Sequence, residues 1–349
     1  MKLLYSLTAA CLLVSAVLTA GNPDRQGEAG ANQLLINPWA RTAGLHTMNT
    51  SSVTGAEAMY QNVAGLSRIN KTQVQFSHTR YLVGADLNLN AIGLAQKIGK
   101  NGALGIAMVA FDLGDFFLTT EDTPEGSNST FSPSFFNMSL SYSHLFENKV
   151  SVGFTAKLVS ESIANVSASA LAIDAGVQYV TGPNDEFKFG ISLRNIGNRM
   201  RFTGDGLNRQ LPAPNQTFAY QLTFYDRSAA YELPTQLNIG ASYDFLVGSG
   251  NHRITPMLNF TSNAFSRDQV GMGLEYAMNN ILFLRAAYKH EFQTTLQSLD
   301  ATLDNGLAAG FSVALPVKRD SDTRIALDYA YRTTIRYNGI HNIGVRIDL

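Results

Sequence analysis

The segment His341-Asn342-Ile343-Gly344-Val345-Arg346-Ile347-Asp348-Leu349 decides how the rest of the chain is read. One phase holds Ile343, Val345, Ile347 and Leu349, and the other holds Asn342, Gly344, Arg346 and Asp348. Strict alternation puts the oily side chains on one sheet face and the polar or small ones on the other. A terminal strand of this kind suits a closed barrel in lipid, whose last strand must pair with its first to leave no open edge.

Working outward, the pattern recurs from Thr72 onward, and about 14 stretches have the roughly 9–11 residues that cross an outer membrane. Met138, Leu140 and Tyr142 face away from Ser139, Ser141 and Ser143. Val152, Phe154 and Leu158, then Leu171, Ile173 and Val177, continue the same apolar phase, as do Met272 and Leu274 and later Ile325 and Leu327. The opposite phases carry Gly, Ser, Thr, Gln, Asn and some charge, as a wet or protein-filled lumen requires. Stretches near residues 86–96, 104–113, 254–260 and 281–290 alternate less cleanly. Short connections such as Glu147-Asn148-Lys149 take turns with long ones at 114–133, 196–234 and 292–305, all after odd-numbered strands. That asymmetry belongs to a barrel with tight periplasmic turns and long outer loops. Phe146, Tyr179, Phe187, Phe245, Tyr276 and Phe283 bracket the short turns, where a membrane-interface girdle is expected. The predicted fold class is all-β, a transmembrane antiparallel β-barrel of the outer membrane.

The composition agrees. Among 349 residues, charged side chains make up 15% and the net charge is −1, against roughly 25% charged in soluble domains. No basic footprint for nucleic acid is present. Lys2, an apolar run from Leu3 to Leu18, and Thr19-Ala20-Gly21 have the layout of a secretory signal peptide over 1–20. The single cysteine, Cys11, falls inside that run; a lipoprotein reading is disfavoured because further apolar residues follow it and too few precede it. No later apolar run approaches the roughly 18 residues of a spanning helix.

Residues 21–70 lack a period-two pattern and are predicted to form a plug inside or under the barrel of 71–349. The polar, Gly-rich start (22–36) is expected to be loosely ordered. Ala56 to Tyr60 suits a helical turn, and Asn62 and Gly65 suit a tight bend.

Chemistry-bearing constellations are missing. His46, His78, His144, His252, His290 and His341 are scattered without ligand spacing. No nucleophile elbow, zinc-protease or phosphate-loop motif occurs. Asp115, Glu121, Asp122 and Glu125 read as a solvated outer loop more readily than as a Ca²⁺ site. The chain is read as a non-enzyme without cofactor or metal.

Ala40-Arg41-Thr42-Ala43-Gly44-Leu45 and Ala58-Met59-Tyr60-Gln61-Asn62-Val63-Ala64-Gly65-Leu66 resemble the N-terminal signature of the PorV/PorQ family of outer-membrane proteins. Gln61 stands where that family has Trp, and Val63 where it has Pro. Phe76-Ser77-His78-Thr79, Glu125-Gly126 and Asn195-Ile196-Gly197-Asn198 extend the resemblance along the chain. Asn342-x-Gly344-x-x-Ile347-x-Leu349 also resembles the barrel C-terminal insertion signal, with Leu349 where that pattern usually has Phe. The resemblance implies a FadL-like barrel of about 14 strands with Arg41, Gly44, Tyr60, Asn62 and Gly65 in a lumenal plug. It also implies a role in type IX secretion, in which such proteins bind the translocon barrel and the C-terminal domains of secreted cargo.

The outer loop after the seventh strand is the expected partner surface, with Phe202, Leu211, Phe218, Tyr220, Phe224, Tyr225 and Tyr231. A loop this aromatic must bury its rings on its own barrel or on a partner. The alternative expectation is a FadL-like conduit for an apolar small molecule. It needs an apolar pocket and a kink or gap in the wall, and the polar inward phases (Lys157, Asp174, Gln178, Lys188, Arg194, Asn238) count against it.

Overall fold

Alternating side chains commit each strand to one face toward hydrocarbon, and a sheet exposed to lipid has to close. The computed structural model describes residues 22–85, 87–119, 122–126, 128–212, 220–248, 251–292, 302–303, 305, 306–317, 323–335 and 337–349. Its wall consists of 14 strands. The first seven are β1 (Thr72–Tyr81), β2 (Leu87–Ile98), β3 (Gly102–Asp112), β4 (Ser134–Phe146), β5 (Val150–Ile163), β6 (Val166–Thr181) and β7 (Phe187–Gly197). They are followed by β8 (Gln236–Tyr243, resumed at Phe245–Val247), β9 (His252–Asn263), β10 (Gln269–Met278) and β11 (Leu282–Glu291). The last three are β12 (Gly306–Pro316), β13 (Arg324–Arg332) and β14 (Ile340–Asp348). Every pairing in the wall is antiparallel between sequence neighbours, and β14 closes on β1 with Val345 opposite Phe76.

The apolar phase faces out. Leu140, Phe154, Leu171, Met272, Leu307, Ile343 and Leu349 are all exposed, while their polar neighbours Ser141, Thr155, Asp174 and Asn342 are buried. Exposed large apolar side chains around a whole closed wall are stable only in lipid. Phe283 departs from the expected girdle. The phase of β11 is set by exposed Leu284, so Phe283 shares the inward side with Arg285, whose guanidinium lies 5.4 Å from its ring centre.

β5 and β6, of 14 and 16 residues, outrun a membrane crossing and rise above the long-loop rim. β6 and β7 shift register between Ile173 and Ala175, the one irregular step between β6 and β7. Asn195 sits there with φ 60°, and the Asp174 carboxylate accepts its backbone N–H at 2.7 Å.

The lumen is filled by residues 37–67, almost all buried. Short helices at Ala40–Ala43 and Ala58–Gln61 and a 3₁₀ turn at Val63–Arg68 carry the chain down to β1. Residues 22–36, expected to be loose, are docked instead: Asn32–Leu35 form a 3₁₀ turn, Leu34 is buried, and the Gly30 N–H donates to the Glu232 carbonyl at 3.0 Å. Composition suggested looseness because the groups that hold them sit in a distant outer loop.

Candidate functional site

Two regions carry the possible function: the lumen with its plug, and the outer loops above it. In the lumen, Trp39, Val53, Ala56, Met59 and Leu66 pack against the small wall residues Ala91, Ala95, Ala103 and Ala107. Leu45 and Met48 do the same against Met257 and Ala287. Where the plug backbone comes closest, the wall has no side chain at all. A Cβ on Gly153 would lie 2.7 Å from the Val63 carbonyl, and one on Gly190 would lie 2.5 Å from the Thr50 carbonyl. The glycines let the plug come closer to the inner wall than any side chain would allow.

The five residues of the N-terminal signature all lie in this plug, and each has a holding role. Arg41 donates to the Thr54 carbonyl at 2.5 Å and stands 3.6 Å from Glu57. Glu57, wholly buried, accepts from the Thr42 amide at 2.9 Å, from the Thr42 hydroxyl, and from Gln75 at 2.6 Å. Burial alone pushes the Glu57 carboxyl up, but Arg41 and the hydrogen bonds from Thr42 and Gln75 outweigh it and hold it below the usual carboxylate range. Gly44 lets the plug approach the Gly310 Cα, which an added Cβ would meet at 3.1 Å. Tyr60 donates to the Leu35 carbonyl at 2.8 Å and lies under the Arg194 guanidinium, 4.0 Å from its ring centre. Asn62 accepts from the Ala64 amide at 3.2 Å and donates to the Thr50 and Val177 carbonyls, tying bend to wall. A Cβ on Gly65 would fall 1.9 Å from the Val53 carbonyl oxygen.

Sequence reasoning placed Gln178 on the inward phase without a partner, whereas it donates to the Thr50 and Val53 carbonyls at 3.2 and 3.0 Å, and it gave Glu57 no role. A lone Gln on a lumenal phase gives no sign that a plug backbone lies opposite. In the C-terminal segment, Asn342 donates to Thr79 Oγ1 at 2.5 Å and to the Asn37 carbonyl at 3.3 Å. Gly344 faces Ala40 of the plug, while Ile347 and Leu349 point outward.

Above the plug, a vestibule of about 720 Å³ opens between residues 26–36 and the long-loop ends of the strands. Leu35, Ile36, Tyr81, Phe111, Phe135 and Phe265 supply its apolar surface, and Glu161, Lys289 and Arg332 its charge. Glu161 accepts from Gln33 and from the Tyr231 hydroxyl, each at 2.7 Å. Burial, then the bond to Glu161 and its charge, pushes the Tyr231 phenol up. Toward the short-turn end the lumen is charged and paired: Glu275 accepts from Arg285 at 2.8 Å and from Arg253 at 3.0 Å.

The outer loop between β7 and β8 divides in two. At its base, Phe202 and Tyr231 lie 6.0 Å apart and pack on Leu34, Val159, Met200 and Leu233. Beyond it, Asn208–Pro212 and Gln221–Tyr225 form a two-stranded ribbon exposed throughout. Leu211, Tyr220, Phe224 and Tyr225 are exposed there, and Phe218 lies outside the described residues. In the loop after β3, Ser132 donates to Asp115, Glu121 lies outside the described residues, and no group of three metal-ligating side chains converges among those described.

These features define a class: a closed 14-strand membrane barrel with a plugged lumen and a vestibule at its long-loop end. Its fold is similar to that of a FadL homologue from Pseudomonas aeruginosa, with a TM-score of 0.51 at 12% identity over 88% of this chain and 98% of that one. It is also similar to the Pseudomonas putida toluene transporter TodX, with a TM-score of 0.50 at 13% identity over 85% and 93%. No protein-family profile matches the sequence, and no curated protein matches it.

Proposed function

We propose that this chain resides in the outer membrane and admits an apolar small molecule from outside into the vestibule above its plug. The vestibule carries this reading. Its volume of about 720 Å³ lies within the roughly 300–1,000 Å³ of ligand sites, and Tyr81, Phe111, Phe135 and Phe265 supply rings among polar side chains such as Gln33, Gln236, Asn263, Gln269 and Thr302. The fold likeness to a toluene transporter supports the same choice over a protein-export role. The polar inward phases, which counted against a conduit, are for the most part engaged with the plug and with one another, as Lys157 is with Asn195 and Gln178 with the Val53 carbonyl. Passage further down requires the plug to shift, because residues 37–67 fill the lumen.

The test is equilibrium binding of labelled aromatic hydrocarbons and fatty acids to the purified barrel. Saturable binding that drops at least about tenfold in Phe135→Asp is expected, since a charge among apolar rings goes unpaired. Absence of saturable binding by any of them contradicts the reading.

A second reading, an accessory barrel of type IX secretion, is favoured by one observation. The ribbon at 208–212 and 221–225 holds Leu211, Phe224 and Tyr225 in solvent, where rings gain only from a partner. It predicts that the translocon barrel or a cargo C-terminal domain co-purifies in mild detergent and is lost with Phe224→Ser plus Tyr225→Ser. Normal export of all cargo by a strain lacking the protein removes it.

A further inference from the structure

We propose that a recess on the outer wall across β8–β11 seats one acyl chain of a bilayer phospholipid. The recess measures about 650 Å³ and lies within the lipid-facing stripe. Its floor is made of short outward side chains, Ala241, Pro256 and Ala286. Leu258, Met272 and Leu274 form its sides, and Tyr243 and Tyr288 stand at its ends. Register explains the dent. Ala241, Leu258, Met272 and Tyr288 sit side by side across four strands, while the adjoining row runs through Pro256, Leu274 and Ala286. No charged side chain lines it, and the Ser242 hydroxyl is turned into the lumen, accepting from Ser51 at 2.9 Å.

A second observation falls at the same place. The β8–β9 ladder stops at Ser242 opposite Met257 and resumes at Phe245 opposite Ile254. In between, the Tyr243 carbonyl faces Pro256, which has no N–H to give. A proline inside a membrane wall forfeits a ladder bond that lipid cannot replace. From the lumen side, Asp244 splints the seam, accepting from Thr255 at 2.7 Å and from Lys188 at 2.5 Å. From the lipid side only dispersion contact is left to hold it, and a chain lying in the recess supplies that.

The shape selects the occupant. The outer face of a second barrel is convex and does not fill a groove between side chains, whereas an acyl chain does. Tyr243 and Phe187 lie at the short-turn end, and aromatic side chains favour the headgroup level, so a lipid anchored there lays its tail along the floor toward Tyr288. The seat is independent of what the vestibule takes, so either proposal can fail alone.

Native mass spectrometry of the full chain after a delipidating detergent wash tests it. One phospholipid retained per chain is expected. Ala286→Trp, which fills the floor, should reduce that occupancy at least about tenfold, while Leu94→Trp on the far wall leaves it unchanged. A lipid-free wild type, equal retention in Ala286→Trp, or a two-chain species without lipid overturns the proposal. Should Ala286→Trp not insert, Leu274→Trp and Leu94→Trp in a Trp39→Phe background are read in bilayers of brominated phospholipid. Quenching at position 274 should persist for a time after dilution into unbrominated lipid, and that at 94 should fall at once. Simultaneous loss at both positions overturns it.

Discussion

Glu57 joins the plug to itself and to the wall through Thr42, Gln75 and Arg41. Its folded pKa lies below the unfolded value of about 4.3. The charged form therefore contributes its full stability above about pH 5 and loses it as pH falls through the lower, folded value. Trp39, the single tryptophan, is 1% exposed and reports this. Its emission should stay constant from about pH 8 to 5 and shift red below about pH 4; a red shift on raising pH contradicts the assignment. Glu57→Gln leaves the Arg41 charge buried without its partner and should cost plug seating about 3–5 kcal/mol, seen as protease cleavage within 37–67. Gly65→Ala forces a Cβ onto the Val53 carbonyl and should cost about 1–3 kcal/mol by the same readout. At this scale the sequence named Arg41, Gly44, Tyr60, Asn62 and Gly65 through a resemblance. Turn chemistry accounted for Asn62 and Gly65 in a bend, but the contacts of the five were not legible, because the groups they touch, such as Val177 and Gly310, are far away in the chain.

Among the elements, the loop between β7 and β8 combines a seated base with a free ribbon. Tyr231→Phe removes the hydrogen bond to Glu161, worth about 1 kcal/mol. Hydrogen exchange should quicken across residues 22–36, which lean on Tyr231 and Glu232, and remain slow in the wall strands. Unchanged exchange in 22–36 would show that the loop base does not hold that segment. Ribbon substitutions such as Phe224→Ser should leave thermal unfolding within about 0.5 kcal/mol of the parent, as expected for an exposed side chain. The aromatic content of the loop was visible in sequence, but not its division. Phe202 and Tyr231 look no different from Phe224 and Tyr225 until Met200 and Leu34 are seen beneath them.

For the whole molecule, the barrel was legible because strand alternation is local: Ile343, Val345 and Ile347 state their face without help from any other segment. Loop asymmetry, long connections after odd-numbered strands and short ones between, was legible too. The lack of a period-two pattern marked residues 21–70 as a plug, but local pattern could not give how it is seated, since it is fitted through single atoms on many strands. Nor could it give the vestibule, which exists only where 26–36 meets the strand ends. Phe283 shows the limit, an aromatic beside a turn whose face is set by the neighbouring Leu284.

The central claim is that the apolar phase of every wall strand meets lipid while the other phase meets the plug. It is tested most directly by nitroxide labels placed singly from position 342 to 348 in a variant without Cys11, reconstituted in bilayers. Collision with lipid-dissolved oxygen should peak at 343, 345 and 347 and fall at 342, 344 and 346. Oxygen accessibility without that two-residue period, or uniform access to a water-soluble relaxant, would contradict the account.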